Sequence, residues 1–286
     1  MLRLPLLLAG LLLAAACGGR GEAASSGPRV IAAFYPLAFV AQEVTGSAAS
    51  VTNLSPPGVE PHDLELAPDQ VRALSEADLV IYLGAGFQPA VEDIVGDLDE
   101  TATLDVLEDQ EDLLADDPHV WLDPLRLGEI ADSVAARLAQ VDPGDAQTYE
   151  DNAGALTEEL ERLDEDFAGA LMDCERDELV VSHEAFGYLT NRYGLEQVGV
   201  SGVDPELEPS PGRLAEVAEF ARANGVTTIF FEEQVSGDIA EVLAEESGAA
   251  TEVLDPLEFP PDGPSDYFDV MRNNLTAITT ALGCAR

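Results

Sequence analysis

The stretch that decides the fold is residues 143–173, which reads PGDAQTYEDNAGALTEELERLDEDFAGALMD. Apolar side chains recur in it at steps of three or four, with acidic residues on the other side: Tyr149, Ala153, Leu156, Leu160, Leu163, Phe167 and Leu171. This spacing predicts one amphipathic helix of about 28 residues, or roughly 40 Å at 1.5 Å per residue. Pro143 suits its first turn. A helix of that length can run the whole height of a two-domain body.

Short β-rich runs alternate with amphipathic segments on both sides of this helix, a pattern typical of an α/β fold. We predict strands at residues 30–34, 49–53, 79–83, 102–105, 179–182, 198–201, 227–231 and 251–254. We predict further helices at residues 68–77, 124–140, 185–193, 213–224, 237–247 and 267–282. Two βα halves around one central helix are consistent with pseudo-symmetry.

The N-terminal residues indicate export. Arg3 precedes an apolar run over residues 4–16 that is too short to span a bilayer and suits a signal peptide. The run ends in Ala-Ala-Ala-Cys17, which resembles the lipobox of bacterial lipoproteins, with Ala14 where Leu is usual. We predict a signal peptide (1–16), a lipidated Cys17 with a flexible tether (17–27), and a body held at the outer face of the cell membrane. An ordinary cleaved secretion signal is the alternative.

The charge of the chain restricts its partners. There are 56 acidic residues against 13 basic ones, all Arg, for a formal charge of −43. This excludes nucleic acid, because phosphate neutralisation needs clustered cations, and it argues against direct adsorption to anionic lipid. We interpret the excess as an adaptation to high salt, which screens self-repulsion. The alternative is a surface that attracts cations.

Three cysteines remain to be assigned. If Cys17 carries lipid, Cys174 and Cys284 form an even pair in an oxidising compartment. We predict a disulfide between them, with two free buried thiols as the alternative.

All three histidines of the chain lie in short loop-like motifs: His62, His119 and His183. Imidazole is the commonest ligand for zinc and related metals. Asp255 follows the predicted strand at 251–254, and the carboxyl ends of strands are where ligands bind in α/β sheets. We therefore predict one metal site between two domains, suited to tetrahedral Zn²⁺. Taken singly, a His beside a Pro is more often a surface residue, and Asp-Pro after a strand is more often a helix cap.

Four motifs carry a resemblance to a known family: residues 56–63 (PPGVEPHD), 117–124 (DPHVWLDP), 182–188 (SHEAFGY) and 254–257 (LDPL). They resemble the zinc- and manganese-binding components of bacterial ABC importers, the ZnuA-like group. The resemblance implies two α/β lobes (28–142 and 174–286), each a small, mainly parallel sheet flanked by helices. One long rigid helix (143–173) would join them, with the metal in the cleft.

Carried over by motif, the metal ligands would be His62, His119, His183 and Asp255, and Glu232 would orient a ligand imidazole. In the family, His at the third ligand position goes with zinc and Glu with manganese, so His183 favours zinc. The resemblance implies a non-enzymatic, monomeric receptor that delivers Zn²⁺ to an ABC permease and its ATPase. The same role for Mn²⁺ or Fe²⁺ is the alternative. Since ligand imidazoles must be neutral, we expect affinity to fall below about pH 6.5.

The sequence departs from the family pattern in its acidic segment, Glu60 is a second candidate for the oxygen ligand, and two other functions are alternatives. Acidic residues replace the His-rich loop of many zinc-binding members within residues 104–117: Glu108, Asp109, Glu111, Asp112, Asp116 and Asp117. They either attract metal or form a solvated surface. Glu60 competes with Asp255 as the oxygen ligand. A secreted zinc hydrolase would use Glu60 or Glu184 as its base, although a His-Glu-x-x-His motif is missing. A structural lipoprotein or adhesin is the third possibility.

Overall fold

The structure is a computed structural model that describes residues 27–108, 110–115, 117–205, 207–232 and 238–285. The predicted signal peptide, the lipidation of Cys17 and most of the tether lie outside the described residues. So do Asp109 and Asp116 of the acidic segment.

The first lobe is a parallel sheet whose strands follow the order β2-β1-β3-β4. The strands are β1 (Arg29–Ala32), β2 (Ser50–Asn53), β3 (Leu79–Tyr82) and β4 (Thr103–Asp105). The helices are α1 (Tyr35–Thr45), α2 (Pro68–Glu76), α3 (Pro89–Val95) and α4 (Pro124–Val141). β1 and β3, which pair with each other, are buried over most of their length because helices cover both faces of a parallel sheet.

The second lobe repeats this topology, with strand order β6-β5-β7-β8. Its strands are β5 (Glu178–Val181), β6 (Glu196–Gly199), β7 (Thr228–Phe231) and β8 (Ala250–Val253). Its helices are α6 (Gly187–Tyr193), α7 (Pro211–Asn224), α8 (Asp238–Ser247) and α9 (Tyr267–Leu282). In each sheet the second strand pairs on one side of the first strand and the third strand pairs on its other side. This reversal of strand order creates a crevice at the carboxyl ends of the two central strands. The predicted α/β fold class is confirmed.

The helix between the two sheets is α5 (Ala146–Leu171), with 26 residues. All seven apolar positions of the predicted stripe are buried. The helix begins three residues later than predicted because residues 142–145 form a turn: Gly144 N–H donates to Asp142, and the Tyr149 hydroxyl donates to the same carboxylate at 2.9 Å. α5 packs along α4 and also contacts α1, α6 and α9, so it contacts both lobes.

Direct contacts also join the two lobes. The indole Nε1 of Trp121 donates to the carbonyl of Pro256 at 2.7 Å, and the hydroxyl of Tyr267 donates to the carbonyl of Trp121 at 2.7 Å. The guanidinium of Arg192 in α6 lies 3.4 Å from Asp123, which caps α4, and 2.5 Å from Asp164 in α5. These contacts fix the position of the second lobe relative to the first.

Cys174 and Cys284 form a disulfide, as predicted. It connects the end of α5 to the residues that follow α9. Among the helices of the described part of the chain, none has the length and apolar character to cross a membrane.

Candidate metal centre

The three histidines meet around the carboxylate of Glu258. Its Oε1 lies 3.1 Å from Nε2 of His119, 3.4 Å from Nε2 of His183 and 3.5 Å from Nε2 of His62. His119 and Glu258 are fully buried and His183 is 1% exposed, whereas the side chain of His62 is 12% exposed. One buried point therefore receives three imidazole nitrogens and a carboxylate oxygen.

His62 is held by the loop between β2 and α2. Its backbone N–H donates to Oε1 of Glu60 at 3.2 Å. Its ring packs against the ring of Phe87, with centroids 4.4 Å apart and an interplanar angle of 67°. Phe87, which lies in the loop after β3, therefore orients this imidazole by packing against it.

His119 is held by Asp117, two residues earlier in the chain. One oxygen of Asp117 accepts from the backbone N–H of His119 at 3.0 Å and lies 2.8 Å from its ring Nδ1. This hydrogen bond turns Nε2 toward Glu258 and fixes the tautomer. The other oxygen of Asp117 lies against Gly187 at the start of α6, 2.2 Å from where a Cβ would stand. Only glycine at position 187 leaves room for this carboxylate.

His183 and Glu232 follow the two central strands of the second sheet, β5 and β7. Oε1 of Glu232 lies 2.5 Å from Nδ1 of His183 and accepts a hydrogen bond from the hydroxyl of Ser182 at 2.7 Å. Because these strands are adjacent and parallel, their carboxyl ends bring the two side chains together in the crevice. Glu232 is thus in hydrogen-bond contact with the ring of His183.

Asp255 forms a turn instead of facing the imidazoles. Its Oδ1 accepts from the N–H of Leu257 at 2.7 Å, and its backbone N–H and carbonyl bond to the side chain of Asn274 in α9 at 3.0 and 2.7 Å. Leu257 then adopts a φ of 60°, which turns Glu258 toward the histidines. In the described residues, the side chains whose potential ligand atoms lie within 4.8 Å of one another are His62, His119 and Glu258, and His183, Glu232 and Glu258; Asp255 belongs to neither group.

The electrostatics of the cluster reflect its burial. Burial alone would lower the pKa of His183, but the hydrogen bonds and charges of Glu232 and Glu258 outweigh it and raise that pKa to about 10. The pKa of His119 is likewise raised, by Asp117 and Glu258 against the effect of burial. Burial would raise the pKa of Glu258, but the three imidazoles that face it, His119 first among them, hold that pKa well below its usual range. In this arrangement, a proton on His183 balances the charge of the central carboxylate.

Four polar atoms of this cluster are buried without a hydrogen-bond partner of normal geometry: Nε2 of His62, Nε2 of His183, Oε2 of Glu232 and Oε2 of Glu258. Buried polar atoms are nearly always hydrogen-bonded in folded proteins, so these four atoms are suited to binding an ion or an ordered water. Three imidazole nitrogens with a carboxylate oxygen also match the ligand set of tetrahedral zinc. The donor set therefore fits a divalent metal.

The other predicted acids occupy different places. Glu60 is half-buried near the site, and burial, with the charge of Glu258 adding, raises its pKa to about 8. Glu184 is directed toward Arg213, with 3.9 Å between their charged atoms. In the acidic segment, Glu108, Glu111 and Asp112 are exposed. Arg126 holds this segment in place by donating to the carbonyls of residues 111 and 112 at 2.9 and 3.3 Å.

The fold and this cluster define a class of protein: a metal-binding protein whose site lies between two α/β lobes. The chain matches the family described as the zinc-uptake complex component A, periplasmic, over residues 30–281, and it belongs to that family. It is 33% identical to the high-affinity zinc uptake system protein ZnuA of Bacillus subtilis strain 168, over 95% of this chain and 94% of that protein. The resemblance predicted from the four motifs is confirmed.

Two solved structures are similar throughout the body. The Zn(II)-bound ZnuA-like domain of Streptococcus pneumoniae AdcA has a TM-score of 0.79 and 33% identity, with 90% of this chain and 99% of that domain covered. The chain spans 60% of the whole zinc-binding lipoprotein AdcA. The laminin-binding protein Lmb of Streptococcus agalactiae, described as an adhesin with metal-transporting activity, has a TM-score of 0.83 and 32% identity, with 90% of this chain and 100% of that chain covered.

Proposed function

We propose that this protein captures Zn²⁺ between its two lobes outside the cytoplasm and delivers it to an ABC permease and its ATPase. One observation carries the proposal: three imidazole nitrogens converge on one buried carboxylate, within a chain of the zinc-uptake family. The relatives named for zinc uptake and zinc binding support the same role.

The ligands in this proposal are His62, His119, His183 and Glu258. Nitrogen-rich tetrahedral sites suit zinc, whereas manganese prefers oxygen ligands and a higher coordination number. In this proposal Asp255 accepts the hydrogen bond that forms the turn before Glu258, and so positions Glu258. Glu60, whose charge interacts with that of Glu258, is the alternative oxygen ligand. His183 occupies the position at which the family distinguishes zinc from manganese, so the cargo is zinc.

The experiment is a titration of the metal-stripped protein with Zn²⁺ against a competing chelator, with Mn²⁺ in parallel. We expect tight one-to-one zinc binding that is lost in His119→Ala and unmatched by manganese. Asp112→Asn, an exposed acid of the acidic segment, is the control and should bind as the parent does. Weak binding at several sites that survives His119→Ala would overturn the proposal and leave only the acidic surface.

Delivery and anchoring need separate tests. In a reconstituted permease, the zinc-loaded protein should stimulate ATP hydrolysis and zinc uptake, and the Glu258→Ala variant should not.

Lipidation at Cys17 is tested by metabolic labelling with a fatty acid, for which Cys17→Ala is the control. Labelled wild-type protein in the membrane fraction is the expected result; unlabelled protein in the medium would favour a cleaved secretion signal.

A further inference from the structure

The proposed ligands differ in their access to solvent. His119 and Glu258 are fully buried, and His183 is 1% exposed. The side chain of His62 is 12% exposed, so it is the most accessible of the four, although its Nε2 is buried. An ion that approaches from outside therefore meets His62 before the other three.

A cavity of about 220 Å³ opens beside this imidazole. Its lining includes His62, Ala85, Phe87, Leu113 and Asp117 from the first lobe and Val203 from the second. We call this space the His62 cavity. It lies between the loop that carries Phe87 and the acidic segment, and it ends at the ligand.

A second cavity, smaller at about 80 Å³, is lined by His183 and not by His62. Its lining includes Ser182, Glu232 and Leu207. On that side Nδ1 of His183 is engaged by Glu232, which also accepts from Ser182. An ion passing there must break both hydrogen bonds, and leaving buried polar groups unpaired is unfavourable.

In the His62 cavity the hydrogen-bonded carboxylate is Asp117, which engages His119 and leaves the ring of His62 free of such a bond among the described contacts. The ring of His62 packs against the ring of Phe87, with centroids 4.4 Å apart. Asp117 supplies one carboxylate at the inner end of the cavity, with 10% of its side chain exposed. The remaining walls are largely apolar, so they offer few groups that would retain a cation on its way.

We propose that Zn²⁺ enters and leaves through the His62 cavity, with His62 as the first ligand gained and the last one lost. This inference rests on the proposed function, because it takes the buried cluster as the zinc site. It adds a direction to that site: ion exchange occurs between Leu113 and Val203, and the His183 side stays closed. A partner that receives the ion must face this opening.

The test compares two exposed leucines, one lining each cavity. Leu113 is 43% exposed and Leu207 is 61% exposed, so each accepts a larger side chain at its outer surface. We would measure zinc association by stopped flow, and dissociation into excess chelator, for the full-length Leu113→Trp and Leu207→Trp proteins. Narrowing the route slows entry and exit equally, so both rates should fall at least about fivefold in Leu113→Trp with an unchanged Kd.

Leu207→Trp should leave both rates unchanged. Val203→Trp narrows the same opening from the second lobe and should reproduce the slowing, which guards against a local folding defect in one variant. Slowing by Leu207→Trp, or unchanged rates in both Leu113→Trp and Val203→Trp, would overturn the route. A shift in Kd that accompanies a change in only one rate would overturn it as well, because the site itself would then be altered. Failure of the proposed function would appear differently, as absent tight zinc binding in the parent protein.

Discussion

The surroundings of His183 and His62 differ although both imidazoles face the same carboxylate. His183 is buried and hydrogen-bonded through Nδ1 to Glu232, which is itself held by Ser182. His62 is partly exposed and leans on the edge of Phe87. His119, with Asp117 on its Nδ1, resembles His183. The site thus combines two imidazoles fixed by carboxylates with one held by packing alone.

This difference shows how a single site can be both selective and exchangeable. Charge-assisted hydrogen bonds fix ring orientation and tautomer, which favours tight binding. An aromatic contact contributes less, about 0.5–1.5 kcal/mol beyond its area burial, and leaves the ring freer to move. We therefore expect the fixed imidazoles to set zinc affinity and His62 to set exchange.

The largest effect should come from the central carboxylate, which all three imidazoles share. Glu258→Gln removes the charge that faces them, so zinc affinity should fall by more than the roughly 10–100-fold typical of residues that only orient ligands. Asp255→Asn retains an oxygen that can accept from the N–H of Leu257, and its affinity should stay close to that of the parent. Chelator competition measures both. The reverse ranking would return Asp255 to the ligand set.

The fixed imidazoles should lose affinity when their carboxylates are removed. Glu232→Ala and Asp117→Ala each leave a buried Nδ1 without its partner, and we expect zinc affinity to fall about 10–100-fold in each. Asp117→Asn keeps an acceptor oxygen and should recover part of the loss. Equal affinity in the Ala variants and the parent would mean that these acids do not orient the ligands.

The dependence of affinity on pH should extend above the range expected for ordinary histidines. The pKa of His183 is raised to about 10, so the metal-free protein keeps this proton at neutral pH and zinc must displace it; the pKa of His119 is raised as well, by Asp117 and Glu258. Zinc affinity should thus rise by about tenfold or more per pH unit from pH 7 to 9. Chelator competition at several pH values measures it. A plateau above about pH 7.5 would indicate an imidazole pKa near the ordinary 6.5.

The smallest effect on affinity should come from the support of His62. Phe87→Leu removes the ring edge while keeping an apolar side chain, and the lost aromatic contact of about 0.5–1.5 kcal/mol corresponds to a decrease of about 2–12-fold in zinc affinity. Titration against a weak chelator resolves a change of this size. A loss as large as that of Glu232→Ala would remove the distinction between the fixed and the packed imidazoles.

Much of the fold was predictable because its signals are local. The apolar residues from Tyr149 to Leu171 recur with the period of an α-helix, and α5 ends at the last of them, Leu171. α1 was not among the helices predicted, because eight of its 11 residues are buried and its sequence has little polar contrast between faces. β1 ends earlier than predicted: Ala33 and Phe34 stay buried although they lie past the strand, so burial did not mark the strand boundary.

The site was predictable only in part for a similar reason. The histidines are rare and stand in distinct motifs, so they could be found individually. Glu258 lies in an irregular loop, and its approach to the histidines depends on the turn at Asp255 and the positive φ of Leu257, which no periodicity reveals. A usable signal existed: Glu258 is an isolated acid between Leu257 and Phe259, where an apolar run would otherwise continue. Asp117 was noted in the motif at 117–124 and in the acidic segment, but it was given no role beside His119, since that contact depends on a local turn.

Trp121 has a consequence for how the protein opens. Its indole bonds to Pro256 and its carbonyl accepts from Tyr267, so one residue makes two hydrogen bonds across the lobe boundary, two residues from His119. Separating the lobes at this point breaks both bonds together, so part of the cost of opening is located beside the proposed metal site. The contacts of Arg192 with Asp123 and Asp164 add to that cost. A partner that empties the site must act on the neighbourhood of Trp121 or leave the lobes closed.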